Sequence, residues 1–316
     1  VNLPAGDTMT VNIETDSWGY EASITLLKPD GTTQSWPTWT FNSNSEYTLG
    51  TYTDSGNYTL TLRDSYGDGG TNVFMVEGGA AGGYSGPMIA DNTVTTSPGR
   101  TAPAAVGMVF EDCSSVSINS ARNTVTLSDN AMVISNCDVS DTSSVLQGQG
   151  DSSTIGIDAD DPNGDLLTLT GTTIAGFATG VEKTSGELTL TGDASISGDD
   201  YGAYVDDATV VAINAAVNGG STGTGLHVID SDDVWVYPMN ASGLVGMYVE
   251  NTPFRWDGGT STADTTLEAV ESVGSVENMT WSTSTVQIDA GSNAYVTSIG
   301  NTITASKLNV ASSATI

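Results

Sequence analysis

Apolar and polar positions recur in one fixed phrase along the middle of the chain, seven times between Gly107 and Asn251. The phrases open at Gly107, Ala131, Gly156, Gly180, Gly202, Gly225 and Gly246, at intervals of 21 to 25 residues. One step on stands Met108, Met132, Ile157, Val181, Ala203, Leu226 or Met247. Three steps on stands Phe110, Ile134, Ala159, Lys183, Val205, Val228 or Val249. Apolar residues two apart mark a strand with one buried face. Lys183 alone breaks the rule, and a distortion at the end of its strand is the expected reason. The fifth step is Asp112, Asn136, Asp161, Ser185, Asp207, Asp230 or Asn251. Such short polar side chains bond to nearby backbone and end strands in turns.

A second apolar run follows in most units, as at Leu167 and Leu169, Leu188 and Leu190, Val211 and Ile213, and Val234 and Val236. A weaker third run appears at Ile174, Ile196 and Val217. Each unit therefore predicts two or three short strands with too little apolar surface to fold alone. Stacked units bury their inner faces against one another, which is the logic of a solenoid. Helical repeats fit poorly, because Thr, Ser, Gly and Val dominate the segment and disfavour helix.

The pattern resembles the right-handed parallel β-helix of the pectate-lyase-like architecture. That resemblance covers roughly residues 104–316 and rests on periodicity. The period persists loosely through Leu267, Val286 and Val296, so about nine coils are expected, a rod on the order of 40 Å at about 4.8 Å per coil. The last strand-like run, Lys307–Val310, lies close to Ile316 with no recognisable cap, and the natural protein is expected to continue beyond it.

Cys113 and Cys137, the only cysteines, each fall six steps after an opening. Stacking would bring them about 4.8 Å apart, within disulfide range; two stacked free thiols are the alternative. Net charge is −31, but acidic residues number an unremarkable 38 while Lys plus Arg is only 7. The chain is poor in bases, which argues against nucleic acid, anionic membranes and acidic polysaccharides as partners. There is no transmembrane run. Sequons stand at Asn57, Asn240 and Asn278, a weak signal in a chain so rich in Asn, Ser and Thr. Scarce Lys, abundant Ser and Thr and the cysteine pair favour an extracellular or cell-surface setting.

Residues 1–88 lack the repeat. They alternate instead as an antiparallel sheet, through Ala22–Leu27, a turn at Pro29-Asp30-Gly31 and the run Tyr58–Leu62, which predicts a β-sandwich. The run Asp64-Ser65-Tyr66-Gly67-Asp68-Gly69-Gly70 resembles the D-S-Y-G-D-G-W signature of small secreted β-sandwich modules. The upstream Trp18-Gly19-Tyr20-Glu21-Ala22-Ser23-Ile24-Thr25-Leu26 matches their W-x-x-E-x-S segment; Gly70 departs from their Trp. Two carboxylates four apart in a Gly-rich loop suit Ca²⁺, with Asp64 and Asp68 as ligands and Asp16 and Glu21 as outside contributors. A tight turn in which Asp side chains cap backbone N–H groups is the alternative. Residues 89–103 read as a linker leading into the β-helix at 104–316.

Many parallel β-helix proteins act on polysaccharides. A lyase needs a basic residue beside a bound uronate, but Arg100, Arg122, Lys183, Arg255 and Lys307 are far apart in the repeat. A hydrolase needs paired carboxylates; Asp199-Asp200 and Asp232-Asp233 are the candidates. Gly198-Asp199-Asp200 resembles the paired-Asp motif of polygalacturonase-like enzymes, yet their companion G-H-G and R-I-K motifs are missing. A binding surface has more support. Step two points outward and carries Tyr204, His227 and Tyr248 on consecutive coils. One strand further lie Trp235 and Tyr237, with Arg255 expected to stack on Trp235 from the next coil. These rings could receive sugars, or merely cover the sheet.

The sequence thus predicts an all-β protein, a sandwich followed by a parallel β-helix. Its favoured role is a structural or adhesive scaffold that binds carbohydrate or another surface protein. A carbohydrate-active enzyme and a self-associating subunit of a surface layer or filament are the rivals.

Overall fold

The computed structural model describes residues 2–3, 9–15, 18–64, 72–78, 88–90, 93–95, 107–111, 113, 117–126, 130–148, 150, 154–160, 165–281, 285–288, 295–299, 302–303 and 307–310. Within them the chain is all-β apart from one short 3-10 turn, Gly19–Glu21. Among the described residues no helix is long and apolar enough to cross a membrane.

Two three-stranded antiparallel sheets make the N-terminal module. In one, Met9–Thr15 runs between Ser45–Tyr52 and Asn72–Gly78; in the other, Ala22–Leu27 runs between Thr33–Trp36 and Thr59–Asp64. Alternation decides which residues point inward. Val11 and Ile13 from the first sheet meet Ile24 and Leu26 from the second, with Phe41, Leu49 and Tyr58 completing one core. The hairpin at residues 28–32 closes where the Gly31 N–H donates to the Lys28 carbonyl and the Asp30 carboxylate accepts from the Thr32 N–H. Asn2–Leu3 pairs with Gly56–Asn57 and with Met88. Met88–Ala90 in turn runs parallel to Asn119–Ala121, and Thr93–Thr95 to Thr124–Thr126. Hydrogen-bonded strands thereby run from the module into the first coil of the solenoid.

Three parallel ladders build that solenoid. The first passes through Met108, Met132, Ile157, Val181, Ala203, Leu226, Met247 and Leu267, all in register. From Met108 to Leu267 that is about seven turns, slightly different from the nine coils expected for the whole repeat. Beyond Leu267 the first ladder continues through the single pair Thr265 and Thr285, then through Thr285–Ile288 beside Lys307–Val310. Step-one and step-three side chains from Met132 to Ala269 fill the interior almost without exposure. Lys183 is not displaced: it pairs with Ala159 and Val205 in unbroken register and its side chain is 1% exposed.

Two features of the phrase acquire reasons. At the opening glycines, a Cβ on Gly156, Gly180, Gly202, Gly225 or Gly246 would fall 2.4–2.8 Å from a carbonyl oxygen of the next coil. The coils stack too closely there for a side chain. At step five, Asn136, Ser185, Asp207, Asp230 and Asn251 all adopt φ between 47° and 57°, the left-handed region that Asn and Asp tolerate better than most residues. The chain turns its corner at that residue.

Step six carries a pattern of its own. At the N-terminal end Cys113 and Cys137 form a disulfide with Cα atoms 4.8 Å apart. Further along, the same step holds Ser231, Thr252 and Ser272, all buried. The Ser231 N–H donates to Thr252 Oγ1 at 3.0 Å, and the Thr252 N–H to Ser272 Oγ at 3.1 Å. Each hydroxyl donates onward to the carbonyl two residues before it. These side chains satisfy corner amides that no strand can reach.

Candidate functional surfaces

Step two of the first ladder points away from the core, and its residues run in register as Asp158, Glu182, Tyr204, His227, Tyr248 and Glu268. The three rings form a stack. Tyr204 and His227 lie 5.2 Å apart between centroids with planes 17° apart, and His227 and Tyr248 lie 4.4 Å apart at 10°. Tyr201 closes the side, edge-on to both Tyr204 and His227. Tyr201 was absent from the sequence-based set because it precedes the repeat phrase. The Tyr248 hydroxyl donates to Glu250 Oε2 at 2.6 Å.

Charge in this column is one-sided. Burial, and then the hydrogen bond and charge of Glu250, push the Tyr248 phenol well above its ordinary value. Burial lowers the His227 imidazole, against an opposing pull from Glu250. Asp206 is raised, by burial first and then by Asp230 and Asp207. The stack consumes its own ring faces and presents edges and polar atoms outward.

The next face carries Trp235 and Tyr237, flanking the inward Val236, 55% and 64% exposed. Trp235 pairs with Ala212 on one side and Arg255 on the other, so no second ring stacks on it. Its indole N–H donates to Asp233 Oδ1 at 2.6 Å, which fixes the ring. Arg255 does not stack on Trp235 as expected. Its guanidinium donates to Asp257 at 2.9 Å and Glu277 at 3.2 Å, because two carboxylates within reach attract a cation more strongly than an exposed ring does.

The two carboxylate pairs are both exposed: Asp199-Asp200 within the strand Ser195–Gly219, and Asp232-Asp233 at a corner between strands. Asp199 and Asp200 are exposed ahead of Tyr201, and the Asp199 carbonyl accepts from the Gly220 N–H. Asp232 and Asp233 are exposed at the corner after Ser231; the Asp232 N–H donates to Ala208 and the Asp233 carbonyl accepts from Val211. A buried carboxylate does exist, at Asp141, but it accepts from Ser144 at 2.7 Å and Thr172 at 2.5 Å. It braces the corner between the second and third ladders.

Of the calcium candidates, Asp16 and Asp68 lie outside the described residues, as does the side chain of Asp64. Glu21 is buried at the end of the 3-10 turn, and the adjacent Ala22 pairs with Asp64. The strand register thus sets Asp64, the first residue of the second segment, beside Ala22 of the first. Among the described residues no three or more His, Cys, Asp or Glu side chains converge as a metal site. Comparison with protein-family models, with curated proteins and with solved structures finds no match.

Proposed function

We propose that this chain is an extracellular or cell-surface scaffold whose β-solenoid presents a carbohydrate-binding face and performs no chemistry of its own. The observation that carries this reading is the exposed pair Trp235 and Tyr237, with the Trp235 indole clamped by Asp233. A ring immobilised before binding loses little rotational freedom on contact, which favours affinity. The disulfide supports an oxidising compartment. The scarcity of bases directs the choice towards neutral glycans. Calcium at residues 64–70, with Glu21 next in sequence to the Asp64 strand partner Ala22, belongs to this reading as a brace for the module, and a melting temperature indifferent to EDTA would remove it.

A glycan array read beside a reducing-sugar assay tests the proposal. Binding to neutral glycans without product is expected, with the Trp235→Ala variant losing at least tenfold in affinity. Sugar release that disappears in Asp200→Asn would replace this reading with that of a polysaccharide hydrolase.

A further inference from the structure

A second aromatic assembly belongs to the N-terminal module. Tyr20 and Trp39 stack with centroids 4.8 Å apart and planes 18° apart, and Trp18 meets Tyr20 edge-on at 5.9 Å. Trp39 is 73% exposed, the most exposed large apolar side chain among the described residues, and stands outside the module's core. Its backbone is at φ 69°, where a bulky residue is a genuine outlier and glycine would be unstrained. The Trp39 N–H donates to the Tyr20 carbonyl at 2.6 Å, and the neighbouring Thr40 N–H donates to Pro37 at 3.2 Å. The turn therefore holds the indole outward in a fixed pose.

Exposure and backbone strain both oppose stability at Trp39, and no core packing offsets them. Strain that persists under such conditions points to a role outside folding. Tyr20 covers one face of the indole; the other is open and flat. A cation would be better served by rings converging from several sides, as in aromatic cages. An anion is disfavoured by a chain with 38 acidic residues and 7 Lys plus Arg. A neutral pyranose offers what fits: C–H bonds on one face for the π surface and hydroxyls at the rim. Thr38, Thr40 and Asn42, none of them buried, flank Trp39 along the chain as candidate polar partners for those hydroxyls.

We propose that Trp39, backed by Tyr20 and flanked by Trp18, is a docking platform for a neutral sugar ring, separate from the Trp235–Tyr237 face. Affinity electrophoresis of the full chain in gels containing soluble β-glucan, xylan or mannan tests it. At least one polysaccharide should retard the wild type, and Trp39→Ala and Trp39→Gly should each weaken that retardation at least tenfold. Trp39→Gly relieves the strained φ, so its melting temperature should equal or exceed that of the wild type, which separates lost binding from lost folding. Trp235→Ala should retain the Trp39-dependent component. The proposal falls if no polysaccharide retards the chain, or if Trp39→Gly binds as the wild type does. It falls equally if retardation depends on Trp235 alone, a result that leaves the solenoid surface standing, or if tetramethylammonium, but no glycan, quenches the Trp39 fluorescence.

Discussion

Two outer faces of the same coils carry aromatic residues and use them in opposite ways. Tyr204, His227 and Tyr248 occupy one register position on consecutive coils, so the strand spacing brings their planes into contact and each ring becomes the next one's partner. Trp235 has Ala212 and Arg255 as its neighbours in register, and its ring stays in solvent. In a parallel stack, repetition of an aromatic turns it into structure. Isolation within its column leaves it available for a ligand.

The contrast breaks most visibly on paired alanine substitutions. Tyr248→Ala removes a stacked partner of His227 and the hydrogen bond to Glu250, and should cost about 1–3 kcal/mol in urea denaturation. Trp235→Ala should stay within about 0.5 kcal/mol of the wild type while losing glycan affinity. Equal stability losses in both variants would erase the distinction.

A smaller effect follows from pH. Burial in the stack holds the His227 pKa below its ordinary 6.5, so the unfolded chain binds the proton more readily. Stability from the neutral ring is present above pH 6.5 and is lost as pH falls from there through the folded-state value. Asp206 works in the other direction: the stability from its raised pKa is complete below the ordinary 3.8 and is lost as pH rises from there through the folded-state value. Between pH 6.5 and about 5 the melting temperature should therefore decline in the wild type and decline less in His227→Gln. Identical slopes would place the imidazole outside the balance.

The smallest change belongs to Arg255. Its pairs with Asp257 and Glu277 are partly exposed, and Arg255→Ala should cost no more than about 1 kcal/mol, less at high salt. A larger, salt-independent loss would mean that the guanidinium supports the Trp235 face through packing.

Much of this fold is written in the chain because the repeat is local and periodic. Glycine at the opening, apolar residues at steps one and three, and Asp or Asn at step five each answer a constraint that recurs at most coils, with Ala131, Lys183 and Ser185 as departures. Cys113 and Cys137 were legible for the same reason, since stacking converts equal steps into contact. The Ser231–Thr252–Ser272 ladder obeys the same rule but went unread, because small hydroxyl residues are common throughout this chain and carry no contrast. Lys183 shows the limit of pattern reading: its charge implied an exception to the register, whereas it stays in register between Ala159 and Val205 and is buried.

The sequence by itself determined the class of fold, the corner residues, the close approach of Cys113 and Cys137 and the outward direction of Tyr204, His227, Tyr248, Trp235 and Tyr237. Each follows from a period of two along strands and of one coil between them. Only the tertiary structure decided which rings face one another and which face solvent, that Arg255 turns to Asp257 and Glu277, and that Trp39 stacks on Tyr20. Those outcomes depend on which side chains arrive beside each other from different coils or different strands. The competition among such neighbours is settled by distance and charge in three dimensions, and no single stretch of sequence contains it.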